Sequence, residues 1–488
     1  MAVKEGLKAR GKVAVALVAA LLLVAPVVNA AGAGGKPAMD KLHPSLAAMI
    51  EKRPGDRVDV LVTLTPGAAA DSVANLPGAE VKRDFPFIGT KQISVPVQAL
   101  PGLQRNPNVQ WVSPDSQLRL TMLGTEQLKT IYNQISGTPA AWNQGLTGRG
   151  VTVAVLDSGI TPTGDTSGYY LRVNPNGSDP YDYFGHGSHV AGVVSGSSVK
   201  GYQGVAPGAK IFSVKVSDDK GAGTASDLIQ GLEWIYNNGK TYGVKVVNLS
   251  VQSGHAESYK TSPVAAAVEK LWFAGFVVVV ASGNQGDVKD AAWYPPSNDP
   301  FVISVGATDD MGTITTTDDA LATFSSRGLS QDFIFRPDIV APGRRIVSVL
   351  APGSSWVTTF PDRIVEPGYI RMSGTSFSAP MVAGAAALLL EKHPNLTPDQ
   401  VKWALVTGGR RFGGQTDSAK LLDIGAALAL LGQNRIGSAN RGLTVNNYIS
   451  SATGTTFSDI YWDQIYWDQI YWDQIYWDQI YWDQMSVD

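Results

Sequence analysis

Val151-Thr-Val-Ala-Val-Leu-Asp157 is a nearly continuous apolar run of strand length that ends on a carboxylate. Runs of the same kind recur at Lys210–Val216, Val244–Val251, Phe276–Ala281 and Phe301–Val305, with helix-length stretches such as Thr224–Asn238 and Ser258–Ala274 between them. A strand that is apolar on both faces is one buried on both faces. Alternating with helices, such strands predict an α/β fold, a mainly parallel sheet flanked by helices on both faces. Ligands of these sheets bind beyond the carboxyl ends of the strands. Asp157, Asn248 to Gln252 and Ser282 to Gly286 fall at such ends and are the first candidates for a site.

Outside this core the texture changes. Lys4, Lys8, Arg10 and Lys12 precede the apolar run Val13–Val28 and the small-residue ending Val28-Asn29-Ala30. This is the layout of a secretory signal peptide over 1–30, and it implies export. The run is shorter than the ~20 residues a membrane span needs, and Pro26 interrupts it. Residues 31–55 read as a lead-in with one short helix around Leu46–Lys52. Arg57–Leu64, Gln92–Val97 and Val109–Ser113 carry strand patterns, so 56–118 reads as a small α+β domain within 31–120. Leu118–Gln134 shows no fixed apolar period and reads as an exposed linker. The large domain then runs over 121–435. Its last helices are expected at Thr397–Thr407, with Thr397 as N-cap, and at Ser418–Leu431.

A polar tail, 436–488, ends in five Tyr-Trp-Asp-Gln-Ile/Met repeats at 461–485. A period of five flips faces from repeat to repeat in a strand and scatters the aromatics around a helix. Two readings stand: a low-complexity tail, or an element for cell-surface attachment or self-association through Tyr and Trp.

Composition removes whole classes of chemistry. The net charge of −3 comes without a basic stripe, which argues against nucleic acid as a partner. There is no cysteine, hence no disulfide framework, thiolate nucleophile or zinc-thiolate site. Only five histidines exist, so histidine-dependent chemistry is easy to place.

Gly374-Thr-Ser-Phe-Ser-Ala-Pro-Met381 holds a serine among small residues, just before the apolar helix former Met381–Leu390, which His393-Pro394 closes. Ser376 therefore sits at a helix N-terminus, where unpaired N–H groups can hold a developing negative charge. Alone, this reads better as a serine N-cap on a buried helix. Pro380 has no N–H for the carbonyl of Ser376, so the first turn is expected to be irregular. His186 opens a second helix in Gly185-His-Gly-Ser-His-Val-Ala-Gly192, and Asp157 ends the first strand in Leu156-Asp-Ser-Gly159. A serine hydroxyl needs a base, histidine can take its proton, and a carboxylate can fix the histidine tautomer.

The order Asp, His, Ser within these three motifs resembles the subtilisin-like serine proteases, the subtilases. The similarity covers about 145–410 and extends to Ala322-Thr-Phe-Ser-Ser-Arg-Gly328 and Arg336-Pro-Asp-Ile-Val-Ala-Pro-Gly343. The resemblance implies Ser376 as nucleophile, His186 as general base then acid, and Asp157 as its orienting carboxylate. Ala281-Ser-Gly-Asn284 matches the oxyanion block, with Asn284 as side-chain donor beside the backbone N–H of Ser376. Ala281, Ser282 and Gly283, with Gly221-Ala222-Gly223 and Ser250-Val251, are then the substrate-binding positions that hold an extended peptide. The small domain resembles the family's propeptide, an intramolecular inhibitor that is cut away, with the junction in Leu118–Gln134.

The implied protein is a secreted serine endopeptidase acting on protein or peptide substrates and made as a zymogen. No cofactor is required for its chemistry. Asp165, Asp179 and Asp182 read as a solvated loop before His186, with structural calcium as the alternative. His189 reads as a structural helix histidine rather than a metal ligand, and His43, His255 and His393 as solvated. Gln252 departs from the family, which usually has glycine there. An esterase is disfavoured because glycine is missing two residues after Ser376. An inactive surface protein on the same scaffold would need a catalytic group to be lost, and none is.

Overall fold

The computed structural model describes residues 41–449 apart from 69–72, 74–75, 121–130, 166–169, 178, 198–200 and 416–417. The signal-peptide reading and the 461–485 repeats lie outside the described residues. No described helix is long and apolar enough to cross a membrane.

Four strands open the chain: β1 (Arg57–Leu64), β2 (Glu80–Phe85), β3 (Thr90–Pro96) and β4 (Val109–Pro114). They form an antiparallel sheet in the order β2-β3-β1-β4. Alternation in β1 sends Val60 and Val62 toward Leu46 of the helix Pro44–Lys52 and toward Leu100 and Leu103 of Leu100–Arg105. Leu61, between them, joins the core of the large domain together with Phe85 and Ile88. The sheet is thus apolar on both faces because a second body covers one of them. Phe87 packs on Tyr236 at 5.7 Å between ring centroids, on the helix Ala225–Asn238.

The next nine strands of the described residues follow in chain order. They are β5 (Gln117–Leu120), β6 (Thr152–Asp157), β7 (Tyr170–Val173), β8 (Lys210–Lys215), β9 (Gly223–Thr224), β10 (Val244–Leu249), β11 (Val251–Ser253), β12 (Val277–Ala281) and β13 (Ile303–Asp309).

β5 corrects the linker reading at its first three residues, Leu118–Leu120, while 121–130 lie outside the described residues. Instead of an exposed connection, this segment is the middle strand between two pieces of the large domain, β9 and β11. Both pairings are antiparallel. A strand this short is too brief for a period to register, and its partners arrive from about a hundred residues away.

The large sheet contains β6, β7, β8, β10, β12 and β13, and residues 339–342 and 420–421 extend it. The parallel order among the described residues is 420–421, 339–342, β13, β12, β10, β6, β8, β7. Chain order reverses on either side of β6, which makes a crevice outside its carboxyl end. Asp157 is the residue at that end.

Two expectations along this sheet change. The run Val244–Val251 is two strands, broken at Ser250, where the chain leaves the parallel sheet to pair with β5. Ser418–Leu431 is not one helix: Lys420–Leu421 pairs into the sheet edge, and the helix starts at Ile424 after Asp423, whose carboxylate accepts from the Ala426 N–H. Elsewhere the caps fall where side chains dictate. Thr224 and Thr397 both close capping boxes, with Asp227 and Gln400, and Ser262 caps the helix Pro263–Phe273.

The helix Thr375–Lys392 is buried over Thr375–Leu390 and packs on β10, β12 and β13. Pro380 lies inside it. The first turn is helical all the same, against the expectation of an irregular one, because the Ser250 hydroxyl donates to the Ser376 carbonyl at 2.8 Å.

Candidate active site

Asp157, His186, Asn284 and Ser376 lie far apart in sequence and meet at the carboxyl edge of the sheet. His186 is the first residue of the helix His186–Ser195, and its Nδ1 lies 2.7 Å from Asp157 Oδ1, with both side chains fully buried. A carboxylate only accepts, so Nδ1 carries the proton and Nε2 presents its lone pair. Nε2 finds no hydrogen-bond partner among the described residues. Asp157 Oδ1 also accepts the Ser158 N–H at 2.7 Å, which fixes the carboxylate.

Gly187 explains how the histidine helix comes so close to Asp157. A Cβ there would stand 2.1 Å from the carbonyl oxygen of Gly159. Asp182 completes the joint and overturns the solvated-loop reading, since it is buried. Its Oδ1 accepts from Ser158 Oγ and the Gly185 N–H, and its Oδ2 from the Ser188 N–H. One carboxylate thus caps the histidine helix and ties it to the residue after Asp157. Burial raises its pKa, partly offset by those donors.

The other two loop aspartates go elsewhere. Asp165 accepts from the Tyr369 hydroxyl, and exposed Asp179 accepts from the Tyr181 N–H and the Tyr183 hydroxyl. Among the described residues no group of three or more His, Cys, Asp or Glu side chains could hold a metal ion.

His189 lies one helical turn on, with its ring centroid 4.4 Å from that of Phe377 and 5.9 Å from that of Trp356. Its Nε2 donates to the carbonyl of Ile370, and burial, with the neighbouring His186, pushes its pKa down to about 3. It is a neutral packing residue behind the site. His43 is buried rather than solvated: Nε2 donates to the Ala256 carbonyl, and Nδ1 accepts from the Ser45 N–H. His255 is exposed with its Nδ1 against Ser116 Oγ, and His393 is half-buried.

Ser376 Oγ donates to the carbonyl oxygen of Ser250 at 3.1 Å. Asn284 Oδ1 accepts from the Thr375 N–H and Thr375 Oγ1, at 3.0 and 3.1 Å. That clamp leaves Asn284 Nδ2 as a buried donor with no partner among the described residues. Gly283 is held in turn, its N–H donating to Thr375 Oγ1.

The candidate substrate positions divide into three groups. Gly223 and Val251 stand opposite Leu118 and Leu120 of β5. Gly221 and Ala222 do not pair with β5; Ala222 exchanges bonds with Asp218 in a turn. Ala281 ends β12, and the Ser282 N–H returns to the carbonyl of Val305, so these two shape the floor below Gly283 and Asn284.

A family model for the subtilase family matches residues 148–421. The chain belongs to the subtilase family. Among its relatives, the serine protease AprX of Bacillus subtilis is 42% identical over 54% of this chain and 62% of its own length. Subtilisin E, from the same organism, is 32% identical over 69% of this chain and 79% of its own length. The crystal structure of fervidolysin from Fervidobacterium pennivorans, a keratinolytic enzyme related to subtilisin, superposes with a TM-score of 0.60 at 25% identity. That match covers 77% of this chain and 61% of fervidolysin.

As a subtilase, the chain carries side chains that its motifs do not announce. Thr375 and the Ser250 hydroxyl bond directly to Asn284 and Ser376, and Asp182 bonds to Ser158, Gly185 and Ser188, the residues flanking Asp157 and His186. The only signal for them in the sequence is a short polar side chain beside glycine-rich segments, which is the signal of any turn.

Proposed function

We propose that this subtilase is a secreted serine endopeptidase, made as a zymogen, that hydrolyses peptide bonds through an acyl-enzyme on Ser376. The reading is carried by β5, an extended segment paired antiparallel to β9 and β11 and running toward Ser250, whose carbonyl holds the Ser376 hydroxyl. A substrate peptide added as the middle strand of that sheet gains affinity from main-chain bonds, whatever its side chains.

In the proposed mechanism, His186 Nε2 takes the Ser376 proton as Oγ attacks the peptide carbonyl. Asp157 holds the imidazole and stabilises the cation that forms. The carbonyl oxygen, now anionic, receives hydrogen bonds from Asn284 Nδ2 and the Ser376 N–H at the helix start. Collapse breaks the C–N bond, and His186 returns the proton to the leaving amine. Water then repeats the sequence on the ester and frees Ser376.

The amino-terminal domain serves as the inhibitor in this scheme, its β5 strand lying where substrate lies. Leu120, the last residue of that strand, stands opposite Val251, the residue after Ser250. Expressed intact, the protein should cut itself within Leu118–Gln134, and Ser376→Ala should leave the precursor uncut. A mature protein that neither reacts with a fluorophosphonate probe nor cleaves peptides, with Ser376 present, defeats the reading.

A further inference from the structure

Gln252 is the middle residue of β11 and is 3% exposed. Its side chain does not follow the strand edge outward. The amide lies over Gly283: a Cβ built there would come within 2.4 Å of Gln252 Nε2 and 2.7 Å of both Oε1 and Cδ. Nε2 lies 3.5 Å from the carbonyl oxygen of Ser282. The amide thus fills the slot between β11 and the segment Ser282–Gly283, directly before Asn284. The far side of that slot is closed by residues 295–297: the Ser253 N–H donates to the Pro295 carbonyl, and Ser297 Oγ donates to the carbonyl of Ser282.

Register says which substrate residue meets this amide. Gln252 stands opposite Arg119 of β5. In an antiparallel pair, opposed residues share a face of the sheet, and so does the residue two further along either strand. The substrate residue two positions beyond the one facing Gln252 stands opposite Ser250, where Ser376 Oγ waits. That is the residue whose carbonyl is attacked, and its side chain leaves the strand on the Gln252 face, into the slot.

Resting on the endopeptidase reading above, we infer that Gln252 sets specificity for the residue before the cut. It limits that residue to small side chains and favours those with a hydroxyl to bond its amide. A phenyl or indole ring needs the volume the amide occupies and would bury the amide without a partner. Alanine, serine and threonine stop short of it, and the last two reach it with a hydroxyl.

The test compares mature wild-type enzyme, Gln252→Gly and Gln252→Leu on one peptide series differing only before the cut, with Ala, Ser, Thr, Leu or Phe there. Active enzyme is counted with the fluorophosphonate probe. Wild type should prefer Ala, Ser and Thr over Phe by about tenfold or more in kcat/KM. Gln252→Gly should shift the Phe-to-Ala ratio toward Phe by about tenfold or more, the scale at which pockets discriminate side-chain volume. Gln252→Leu keeps the bulk, so it should still reject Phe while losing any preference for Ser over Ala. If Gln252→Gly labels poorly, the Gln252→Leu ratio and the wild-type profile still decide. Labelled, active enzyme that cleaves after Phe as readily as after Ala overturns the role of Gln252 and leaves the endopeptidase reading standing. Absence of both labelling and cleavage in wild type overturns the two together.

Discussion

The hydroxyl of Ser250 donates to the carbonyl of Ser376, replacing the backbone bond that Pro380 cannot make. One hydroxyl therefore couples the end of β10, the start of the buried helix and the nucleophile. Asn248 Nδ2 donates to the same Ser250 oxygen at 3.0 Å, so the hydroxyl is aimed as well as placed.

Ser250→Ala would remove that hydrogen bond from a buried carbonyl, at a cost of about 1–3 kcal/mol. Pro380→Ala restores an N–H four residues on and should recover most of the loss in the Ser250→Ala background, while changing little by itself. Thermal unfolding of the four proteins in this cycle measures the coupling. Additive effects would show that the two positions act independently.

Asp182 holds the histidine helix without touching substrate. Asp182→Ala should lower kcat more than it raises KM, because His186 is displaced relative to Asp157, and should cost about 1–2 kcal/mol as a lost helix cap. Asp182→Glu, too long for the same three donors, should not rescue it. Equal loss of kcat in a variant of unchanged stability would point instead to a direct chemical role.

Asn284→Ala removes a donor aimed by Thr375 and is expected to lower kcat by about 10²–10³ with KM nearly constant. Thr375→Val keeps Asn284 but releases its Oδ1, and should give a smaller loss of the same kind. A change confined to KM would assign Asn284 to substrate binding.

The contact between the two domains should depend on pH, with opposite signs at its two ends. Glu257 accepts from Trp111 Nε1 and from Ser113 Oγ of the amino-terminal domain, and burial raises its pKa to about 7. The docked form thus binds a proton more readily than the free carboxylate. Docking gains from this group below its ordinary value of 4.5 and weakens as pH rises toward 7. Burial lowers the pKa of His43, so its contribution is lost as pH falls below 6.5. Retention of the amino-terminal domain on the enzyme after processing, followed by size-exclusion chromatography, should fall as pH rises from 6.5 to 7, where the Glu257 effect is unopposed by His43. Glu257→Gln should flatten that decline, and an unaltered decline would remove Glu257 as its source.

Much of this molecule is local in origin. Val153, Val155 and Leu156 read as a buried strand because their run is short, rich in β-branched residues and apolar on both faces. Thr224, Ser262 and Thr397 start their helices with their own side chains. The same locality explains why Ser376, His186 and Asp157 stand out: each carries its motif within eight residues of sequence.

The sequence by itself determined the long buried strands, the capped helices and the identity of the catalytic candidates, since propensity, capping and apolar patterning act over a few residues. Tertiary structure alone decided that Gln117–Leu120 is a strand, that Ser250 separates two strands, that Asp182 faces inward, and that Gln252 lies over Gly283. Most of these depend on a partner brought from tens or hundreds of residues away. A short polar side chain reads the same in a solvated turn as against a buried N–H, until the fold supplies the donor.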